Sequence, residues 1–431
     1  MSFSPVNRLE AWRTLSDGQQ IQVGVLAQNR AGIFFQYHTD YLSTYANLSP
    51  FKLEWNASVQ PAPPEPHDGL PGTFADSLPD GWGLLLMDRV FRQHGLFPGQ
   101  ITALDRLAFV GDRAMGALSY LPHSSYKETY HEGELELHEL GLQAQAIFDG
   151  QTDDVLGALV AAGSSGGARP KAQLYFSDDD FLHCRAIARP GDEAWLVKFT
   201  SGHLALGHEE GLCEAAYLTM AARAGLAVPD WQLLPAPAAS GARYWLGLKR
   251  FDWVSGSEWN GRLHMHSACG LLGADFRQPS LDYADLIRAS SVLCQSPSAG
   301  QIQFRRALFN LFSLNQDDHS KNWSFLQDDQ GNWSLAPFYD VTFSLHPFGE
   351  HATAFNGYGK NPPLKAIQKL AAEASFASWH EARQCIEEIV DAIAHFPQVA
   401  KQLEIKAPTI KLIEQQLKTM RSSNQALYKP A

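Results

Sequence analysis

A dense group of polar residues between Asn315 and Asn322 is the strongest chemical signal in the sequence. Carboxylates, amides, an imidazole and an ammonium group lie within eight residues of one another. Such groups are costly to bury, so this segment should lie in a loop and not inside a helix or a strand. It follows the apolar residues 308–314, which predict the end of a helix.

The residues that follow this group predict a β-hairpin. Residues 323–326 and 333–336 read as two strands joined by an acidic turn. Because antiparallel strands return the chain to its starting end, the loops before and after the hairpin should open on the same side. The oxygen atoms of Asp317, Asn322 and Asp340 are therefore expected to converge on one point.

This set of oxygen donors is typical of phosphoryl transfer. Mg²⁺ is usually held by one or two carboxylates together with substrate phosphates. In kinases one aspartate accepts the proton of the acceptor hydroxyl, an amide five residues later binds metal, and a downstream aspartate binds the bridging metal. Asp317, Asn322 and Asp340 have this order and spacing. The alternative that remains open is a polar loop at a helix end followed by two ordinary acidic turns.

Two further segments are compatible with phosphate binding but are weak signals alone. The small residues of 163–171 let backbone N–H groups approach phosphate oxygens, although the segment lacks a Walker A motif and a flexible linker explains it better in isolation. Lys198 lies in an apolar strand, where an ammonium group is expensive without a partner. Glu214 on the following helix is the candidate partner, and snorkelling from an edge strand is the alternative.

Composition excludes several classes of protein. The chain has 431 residues, of which 45% are hydrophobic and 19% charged, which is enough apolar material for a sizeable core. Acidic residues outnumber basic ones by 46 to 34, so the net charge of -12 gives no general attraction to nucleic acid. The five cysteines form no CxxC motif, which indicates reduced thiols in the cytoplasm. We expect no secretory signal and no membrane span.

The elements that must position these residues predict an α+β fold in two lobes. A small mixed domain is expected over residues 1–125, a β-rich segment over 140–255 and a largely helical segment over 256–431. Residues 107–111 are expected to form a loop running into a strand at 116–121. The other predicted strands are 22–27, 33–37, 173–176, 194–199 and 244–248, and the predicted helices are 80–91, with Asp80 as N-cap, 137–148, 209–224, 283–293, 302–312, 363–374, 379–394 and 409–421.

The order of these motifs resembles the HipA family of toxin serine/threonine kinases. The resemblance is most specific at Asp-Asp-His-Ser-Lys-Asn, residues 317–322, followed by Pro-Phe-Tyr-Asp, residues 337–340. It extends through the Gly/Ser loop, Lys198 and Arg-Phe-Asp at 250–252, and into the amino-terminal segment. It implies a two-lobed protein-kinase-like fold with a small N-terminal domain, in which 140–255 is the N-lobe and 256–431 the C-lobe.

The resemblance also implies roles for individual residues. Asp317 would be the catalytic base, Asn322 and Asp340 would bind Mg²⁺, and Lys198, with Glu214 as its ion-pair partner, would contact the phosphates of ATP. Ser164 or Ser165 would be autophosphorylated, which expels the loop and switches the enzyme off. The remaining nucleotide contacts would come from Gly166, Gly167, Ala168, Arg169, Pro170 and Lys171 of the phosphate-facing loop, Lys249, Arg250 and Phe251 of the hinge, and His319, Ser320, Lys321 and Tyr339.

The hinge and the loop depart from the family pattern. The hinge begins with Lys249 where an acidic residue occurs in the best-known member, and Arg169-Pro170 stiffens the loop. The family implies a cytoplasmic kinase that phosphorylates a protein, such as an aminoacyl-tRNA synthetase, and arrests growth. It also implies a small helix-turn-helix antitoxin as partner, with no direct nucleic-acid binding by this chain. Two alternatives stay open: a small-molecule kinase with the same fold, and a non-catalytic co-repressor of a DNA-binding antitoxin.

Overall fold

The computed structural model describes residues 4–126, 133–152, 157–163, 166–177 and 181–429. Helices and strands both occur throughout these ranges, which confirms the α+β class. The strands are β1 (Arg8–Thr14), β2 (Gln20–Asn29), β3 (Gly32–Tyr37), β4 (Gln60–Pro61), β5 (Leu118–Leu121), β6 (Leu135–Glu136), β7 (Lys171–Phe176), β8 (His183–Cys184), β9 (Glu193–Lys198), β10 (Trp231–Pro235), β11 (Tyr244–Lys249), β12 (Trp253–Ser255), β13 (Asn260–Arg262), β14 (His264–Ser267), β15 (Leu281–Asp282), β16 (Ser324–Gln327), β17 (Trp333–Leu335) and β18 (Thr353–Ala354). The helices are α1 (Thr39–Thr44), α2 (Gly72–Ala75), α3 (Gly81–Gln93), α4 (Ala103–Val110), α5 (Leu137–Phe148), α6 (Gly157–Ala162), α7 (Glu210–Arg223), α8 (Ala268–Leu272), α9 (Tyr283–Leu293), α10 (Pro297–Ser313), α11 (Leu364–Glu373), α12 (Trp379–Ala394), α13 (Phe396–Gln402) and α14 (Ala407–Ser423).

The amino-terminal strands form a five-stranded sheet in the order β4-β3-β2-β1-β5. The predicted hairpin between the second and third strands forms, with Asn29 opposite Gly32 at its turn. Alternate residues of these strands point inwards, and Leu9, Leu26 and Phe35 are fully buried. This sheet thereby supplies the core of the amino-terminal part of the chain.

A second, antiparallel sheet has the order β10-β11-β9-β7. Its strand β7 is buried at all six positions, as expected for a strand covered on both faces. Trp245, Leu174 and Val197 are buried in the core beside it. The sheet therefore holds the ends of β7 and β9, where two of the predicted site lysines lie.

Residues 103–110 form helix α4, so the prediction of a loop at 107–111 is wrong. Thr102 and Asp105 make a capping box, in which each side chain bonds the backbone N–H of the other residue. This Thr-x-x-Asp pattern was the available signal for the helix. The predicted strand that follows forms at β5.

Several helices follow the predicted apolar periodicity. Helices α5, α9 and α12 have the predicted bounds. Helix α10 begins at Pro297, earlier than predicted, because proline is well accommodated in the first turn of a helix. Helix α13 also begins near a proline and was not predicted.

The chain divides into two compact units. Unit 1 comprises residues 1–204, 234–273 and 326–332, and unit 2 comprises residues 205–233, 274–325 and 333–431. These units do not coincide with the three predicted segments, and the predicted domain boundaries remain a prediction. No helix in the described ranges is both long and apolar enough to span a membrane.

In unit 1 a buried arginine holds the turn of the β16–β17 hairpin. Arg13 on β1 is fully buried. Its guanidinium donates to the side-chain oxygen of Gln327 at 3.2 Å, to the backbone oxygen of Asp328 at 2.9 Å and to the hydroxyl of Tyr41 at 3.1 Å. The first strand of the chain therefore fixes a turn that lies more than 300 residues later in the sequence.

Unit 1 also contains a buried ion pair between Arg250 and Asp252. The guanidinium Nη2 lies 2.5 Å from one carboxylate oxygen, and Nε lies 3.1 Å from the other. Burial alone would raise the pKa of Asp252, but the charge and hydrogen bonds of Arg250, with the backbone N–H of Gly116, hold it below its ordinary value. Each charge is tolerated in the interior because the other is present.

Replacing Asp252 with Asn should lower the free energy of unfolding by about 3 kcal/mol, because Arg250 then stays buried beside a neutral partner. The control is Glu414→Gln, which breaks the more exposed pair with Lys418 and should cost less than about 1 kcal/mol. Urea denaturation of both variants measures the difference. Equal losses would contradict a special role for the buried pair.

Candidate active site

The polar segment lies in a loop directly after helix α10, as predicted. The helix ends at Ser313, and Leu314 takes a left-handed conformation with φ 58°, which turns the chain out of the helix. The loop then passes through a short 3-10 turn at Ser320–Asn322 before β16 begins. Its residues are thereby displayed between a rigid helix and a strand.

Within this loop Asp317 is exposed and Asn322 folds back towards it. The Asp317 side chain is 62% exposed, and His319 Nε2 lies 3.9 Å from its Oδ1. The amide nitrogen of Asn322 donates to the backbone oxygen of Asp317 at 2.7 Å. This bond orients the Asn322 side chain through its amide nitrogen, and the amide oxygen is the atom that a cation would use.

The hairpin predicted after this loop forms, and Tyr339 joins its two ends. The backbone N–H of Ala336 donates to Ser324 O at 2.9 Å across the base of the hairpin. The hydroxyl of Tyr339 donates to the backbone oxygen of Lys321 at 2.7 Å and lies 2.7 Å from the hydroxyl of Ser324. The segment carrying Asp340 is thus tied to the loop carrying Asn322.

Asp340 has an uncommon backbone conformation. Its φ is 55°, in the left-handed region that residues other than glycine rarely adopt. Strained conformations of this kind cluster at functional sites, where surrounding contacts hold them in place. The convergence of the Asp317, Asn322 and Asp340 oxygens on one cation remains a prediction.

The donor set fits a hard cation better than a transition metal. Among the residues that the structure describes, no three His, Cys, Asp or Glu side chains are grouped to hold a metal ion. Two carboxylates and an amide are instead the partial set that Mg²⁺ accepts when phosphate oxygens and water complete its shell. Asn322 and Asp340 are the residues that would hold it.

Phe276 lies beside the predicted nucleotide residues of the loop and was missed by the sequence analysis. The ammonium of Lys321 lies 4.2 Å from the centre of its ring, and the ring of His319 lies 6.1 Å away. Ser320, between them, is buried. Nothing in the sequence spacing connects Phe276 with this loop, because the contact depends on the tertiary fold.

In unit 1 the described part of the Gly/Ser loop packs on the start of helix α3. The carboxylate of Asp80 accepts from the backbone N–H of Gly167, and the N–H of Trp82 donates to Gly167 O at 3.0 Å. A Cβ on Gly81 would lie 2.6 Å from Gly167 O, so only glycine permits this approach. Asp80 occupies the predicted N-cap position, but its side chain bonds to the loop and not to the helix.

Two predicted phosphate-binding lysines lie opposite each other in this unit. Lys171 on β7 pairs in register with Lys198 on β9, and both are buried. Directly opposite residues of an antiparallel pair project from the same face of the sheet. Lys171 Nζ also donates to Gly166 O at 2.5 Å, which connects the lysine pair to the glycine loop. Of the other loop residues, Ala168 is exposed, Arg169 is half-buried and Pro170 is buried.

The predicted hinge residues have partners within unit 1. Lys249 forms an ion pair with Glu193. The backbone N–H of Arg250 donates to Ala194 O at 2.8 Å, and its side chain is held by Asp252. Any contact of Arg250 with adenine would therefore use its carbonyl oxygen. Phe251 is half-buried.

The remaining predicted residues are an ion-pair partner and two serines. Glu214 is buried on helix α7 in unit 2, whereas Lys198 belongs to unit 1, and their ion pair remains a prediction. Ser164 and Ser165, the predicted autophosphorylation sites, lie outside the described residues.

Family models match most of the chain. The model of the HipA-like C-terminal domain matches residues 163–397, and the model of the HipA N-terminal domain matches residues 18–121. A protein of Sinorhizobium fredii named "Putative kinase Y4dM" is 28% identical over 202 residues, which are 43% of this chain and 47% of that protein. The match thus spans about half the length of this curated relative.

Solved structures are also similar. A chain of the Shewanella oneidensis MR-1 toxin–antitoxin complex of HipA, HipB and its operator DNA aligns with a TM-score of 0.71 at 17% identity, covering 98% of this chain and 100% of that chain. This similarity confirms the predicted fold. The Helicobacter pylori proinflammatory kinase CtkA aligns over 60% of this chain and 92% of its own at 12% identity, and its TM-score of 0.30 is too low to carry an argument.

Replacing Tyr339 with Phe should loosen the loop of Asn322 without unfolding the protein, because the change removes a single hydroxyl group and its hydrogen bonds to Lys321 and Ser324. We expect faster amide hydrogen exchange at residues 319–324 and a stability loss of about 1 kcal/mol. The control is Tyr428→Phe, whose hydroxyl also donates to a backbone oxygen in unit 2, that of Arg421 at 3.2 Å. Unchanged exchange at 319–324 would show that Tyr339 does not hold the loop.

Proposed function

Because the chain belongs to the HipA family, we propose that it is an ATP- and Mg²⁺-dependent serine/threonine protein kinase. The family model for the carboxy-terminal domain includes Lys198, Asp317, Asn322 and Asp340 among its matched residues. Each of these has the residue type that phosphoryl transfer requires at that place in the sequence. The proposed cofactors are therefore ATP and Mg²⁺.

The placement of two lysines beside the glycine-rich loop in unit 1 carries the proposal. Lys171 and Lys198 lie directly opposite each other on adjacent strands, so both project from one face of the sheet. Lys171 also bonds to the backbone of Gly166, and ammonium groups next to a glycine-rich backbone are the groups that kinases use to bind phosphates. We therefore assign phosphate binding in unit 1 to Lys171, Lys198 and this loop.

We assign the chemical step to the loop after α10. Asp317 accepts the proton of the acceptor hydroxyl while the oxygen forms a bond to the γ-phosphorus and the bond to the β–γ bridging oxygen breaks. Its exposure leaves room for an incoming serine or threonine. Mg²⁺, when bound by Asn322 and Asp340, would neutralise charge on the phosphates. Asn322 and Tyr339 hold the loop in shape through their hydrogen bonds.

We further propose that the acceptor is a protein, with an aminoacyl-tRNA synthetase as the target class that the family resemblance implies, and that growth arrest follows. Autophosphorylation at Ser164 or Ser165, which the family resemblance implies, would add about -1.5 to -2 charges to the Gly/Ser loop and switch the enzyme off. The similarity to a chain from a complex with HipB and operator DNA supports a small DNA-binding antitoxin as partner in the cytoplasm. The net charge of -12 argues against direct nucleic-acid binding by this chain.

The first test is the intact mass of the protein before and after incubation with Mg²⁺ and ATP, with phosphopeptide mapping. We expect a gain of one or two phosphates on Ser164 or Ser165, absent from Asp317→Asn because an amide cannot accept the proton. The Asp317→Asn variant should still bind nucleotide. The matched control is Asp391→Asn, an exposed position on α12 that should leave phosphorylation unchanged.

Undiminished phosphorylation in Asp317→Asn would contradict the proposed role of this residue. If neither the protein itself nor a lysate protein is phosphorylated, free sugars and aminoglycosides should be assayed, since their phosphorylation would favour a small-molecule kinase. A protein that binds a helix-turn-helix partner but transfers no phosphate to any acceptor would instead be a co-repressor.

Replacing Lys198 with Met should weaken ATP binding at least tenfold, because one of the two facing charges is lost. Titration calorimetry with a non-hydrolysable ATP analogue measures the affinity. The control is Lys418→Met, whose ammonium is paired with Glu414 at an exposed position outside the proposed site and should leave the affinity unchanged. Equal affinities of Lys198→Met and the wild-type protein would remove Lys198 from the phosphate site.

A further inference from the structure

The two adjacent aspartates of the loop lie in opposite environments. The Asp317 side chain is 62% exposed, whereas that of Asp318 is fully buried. Their residue types are the same, so this difference comes from the direction in which the backbone presents each side chain. The contacts that hold Asp318 inside the protein therefore bear on the direction of Asp317.

The carboxylate of Asp318 accepts hydrogen bonds from four donors. One oxygen accepts from the backbone N–H groups of Ala352 at 2.8 Å and Thr353 at 3.2 Å. The other lies 2.5 Å from the hydroxyl of Tyr283 and 2.9 Å from Nδ1 of His351. Because a carboxylate has about four acceptor sites, this one has no capacity left for a metal ion or a substrate proton.

Tyr283 donates to Asp318 and does not itself become charged. Burial first, and then the neighbouring charge of Asp318, raise the pKa of Tyr283 well above its ordinary value, so the hydroxyl keeps its proton. The side chain of Asn310 on α10 donates to the same hydroxyl at 3.0 Å and itself accepts from Asn315 at 2.9 Å. The network thus runs from helix α9 and the end of α10 into the loop.

The backbone of Asp318 is fixed as firmly as its side chain. Its carbonyl oxygen accepts from the hydroxyl of Thr353 at 2.5 Å and from the indole N–H of Trp323 at 3.2 Å. The neighbouring Gln316 bonds to the same downstream segment, because its carbonyl oxygen accepts from the N–H of Ala352 at 3.2 Å. The residues on both sides of Asp317 are therefore attached to residues 352–353.

We infer that Asp318 is a positioning residue that sets the direction of the catalytic side chain of Asp317. This inference rests on the proposed kinase function. Residues 351–353 follow Asp340 in the sequence, so the network also connects the loop of the base with the segment downstream of the proposed metal ligand. Asp318 takes no part in the chemistry, since all of its acceptor sites are filled by protein donors.

The test compares three variants by steady-state kinetics of phosphoryl transfer to the acceptor found for the wild-type protein. Asp318→Ala should lower kcat by about 100-fold with KM for ATP within about twofold, because a small misplacement of a catalytic group has that effect. Asp318→Asn should keep kcat within about tenfold of the wild-type value. Its amide oxygen can still accept from both backbone N–H groups, and its NH₂ can face the Tyr283 hydroxyl and Nδ1 of His351, which accepts when the imidazole proton is on Nε2. Asp317→Asn should be inactive.

These variants separate positioning from chemistry and from general folding. If Asp318→Asn is as inactive as Asp317→Asn, then Asp318 takes part in the reaction and the inference is wrong. If folded Asp318→Ala has the wild-type kcat, the inference is also wrong. A rise in KM for ATP equal to the fall in kcat would indicate a damaged nucleotide site and would overturn it as well.

If Asp318→Ala does not fold, Tyr283→Phe and Thr353→Val take its place in the test. Each of them removes one hydrogen bond to Asp318. Each should lower kcat by about three- to tenfold at unchanged KM for ATP, and wild-type kcat in both would overturn the inference.

A wild-type protein that phosphorylates no acceptor would refute the proposed function, and this inference with it. An active wild-type protein with an unaffected Asp318→Ala variant would refute the positioning role alone.

Discussion

The carboxylate of Asp318 loses all of its water when the protein folds, and the rest of unit 2 must replace that water with hydrogen-bond donors. The donors come from helix α9 and from the segment around β18, which is more than thirty residues later in the chain. The parallel pairing of β15 with β18 places that segment beside the start of α9. The loop after α10 therefore acquires its shape only when these distant parts have assembled.

The rule that a buried charge needs polar partners in place of water also applies in unit 1, where two arrangements of charged residues occur. Arg250 and Asp252 neutralise each other within the fold, which makes their contribution purely structural. Lys171 and Lys198 carry like charges on one face of the sheet. The first arrangement brings opposite charges together, whereas the second places two positive charges beside the glycine-rich loop. We assign phosphate binding to the second because of this position.

The sequence predicted the elements that repeat a regular pattern and missed those defined by contacts. Helices α5, α9 and α12 were predicted because their apolar periodicity reports the buried face directly. Asp80 was predicted as a helix cap, but its carboxylate bonds to Gly167, a partner 87 residues away that no local pattern reveals. Spacing singled out Asp317 as a carboxylate of the candidate site, and its exposure is a finding of the structure. It gave no role to Asp318, since burial of that side chain depends on donors contributed by residues 351–353.

The hydrogen bonds of Arg13 have a consequence for how this chain can be cut into fragments. The backbone oxygens of Gln327 and Asp328 accept from a guanidinium that belongs to the first strand of the chain. A fragment that began after residue 125 would keep every residue of the candidate catalytic loop, but it would expose these oxygens and leave the hairpin turn without its anchor. The amino-terminal segment is therefore an internal part of the scaffold that supports the turn of the β16–β17 hairpin.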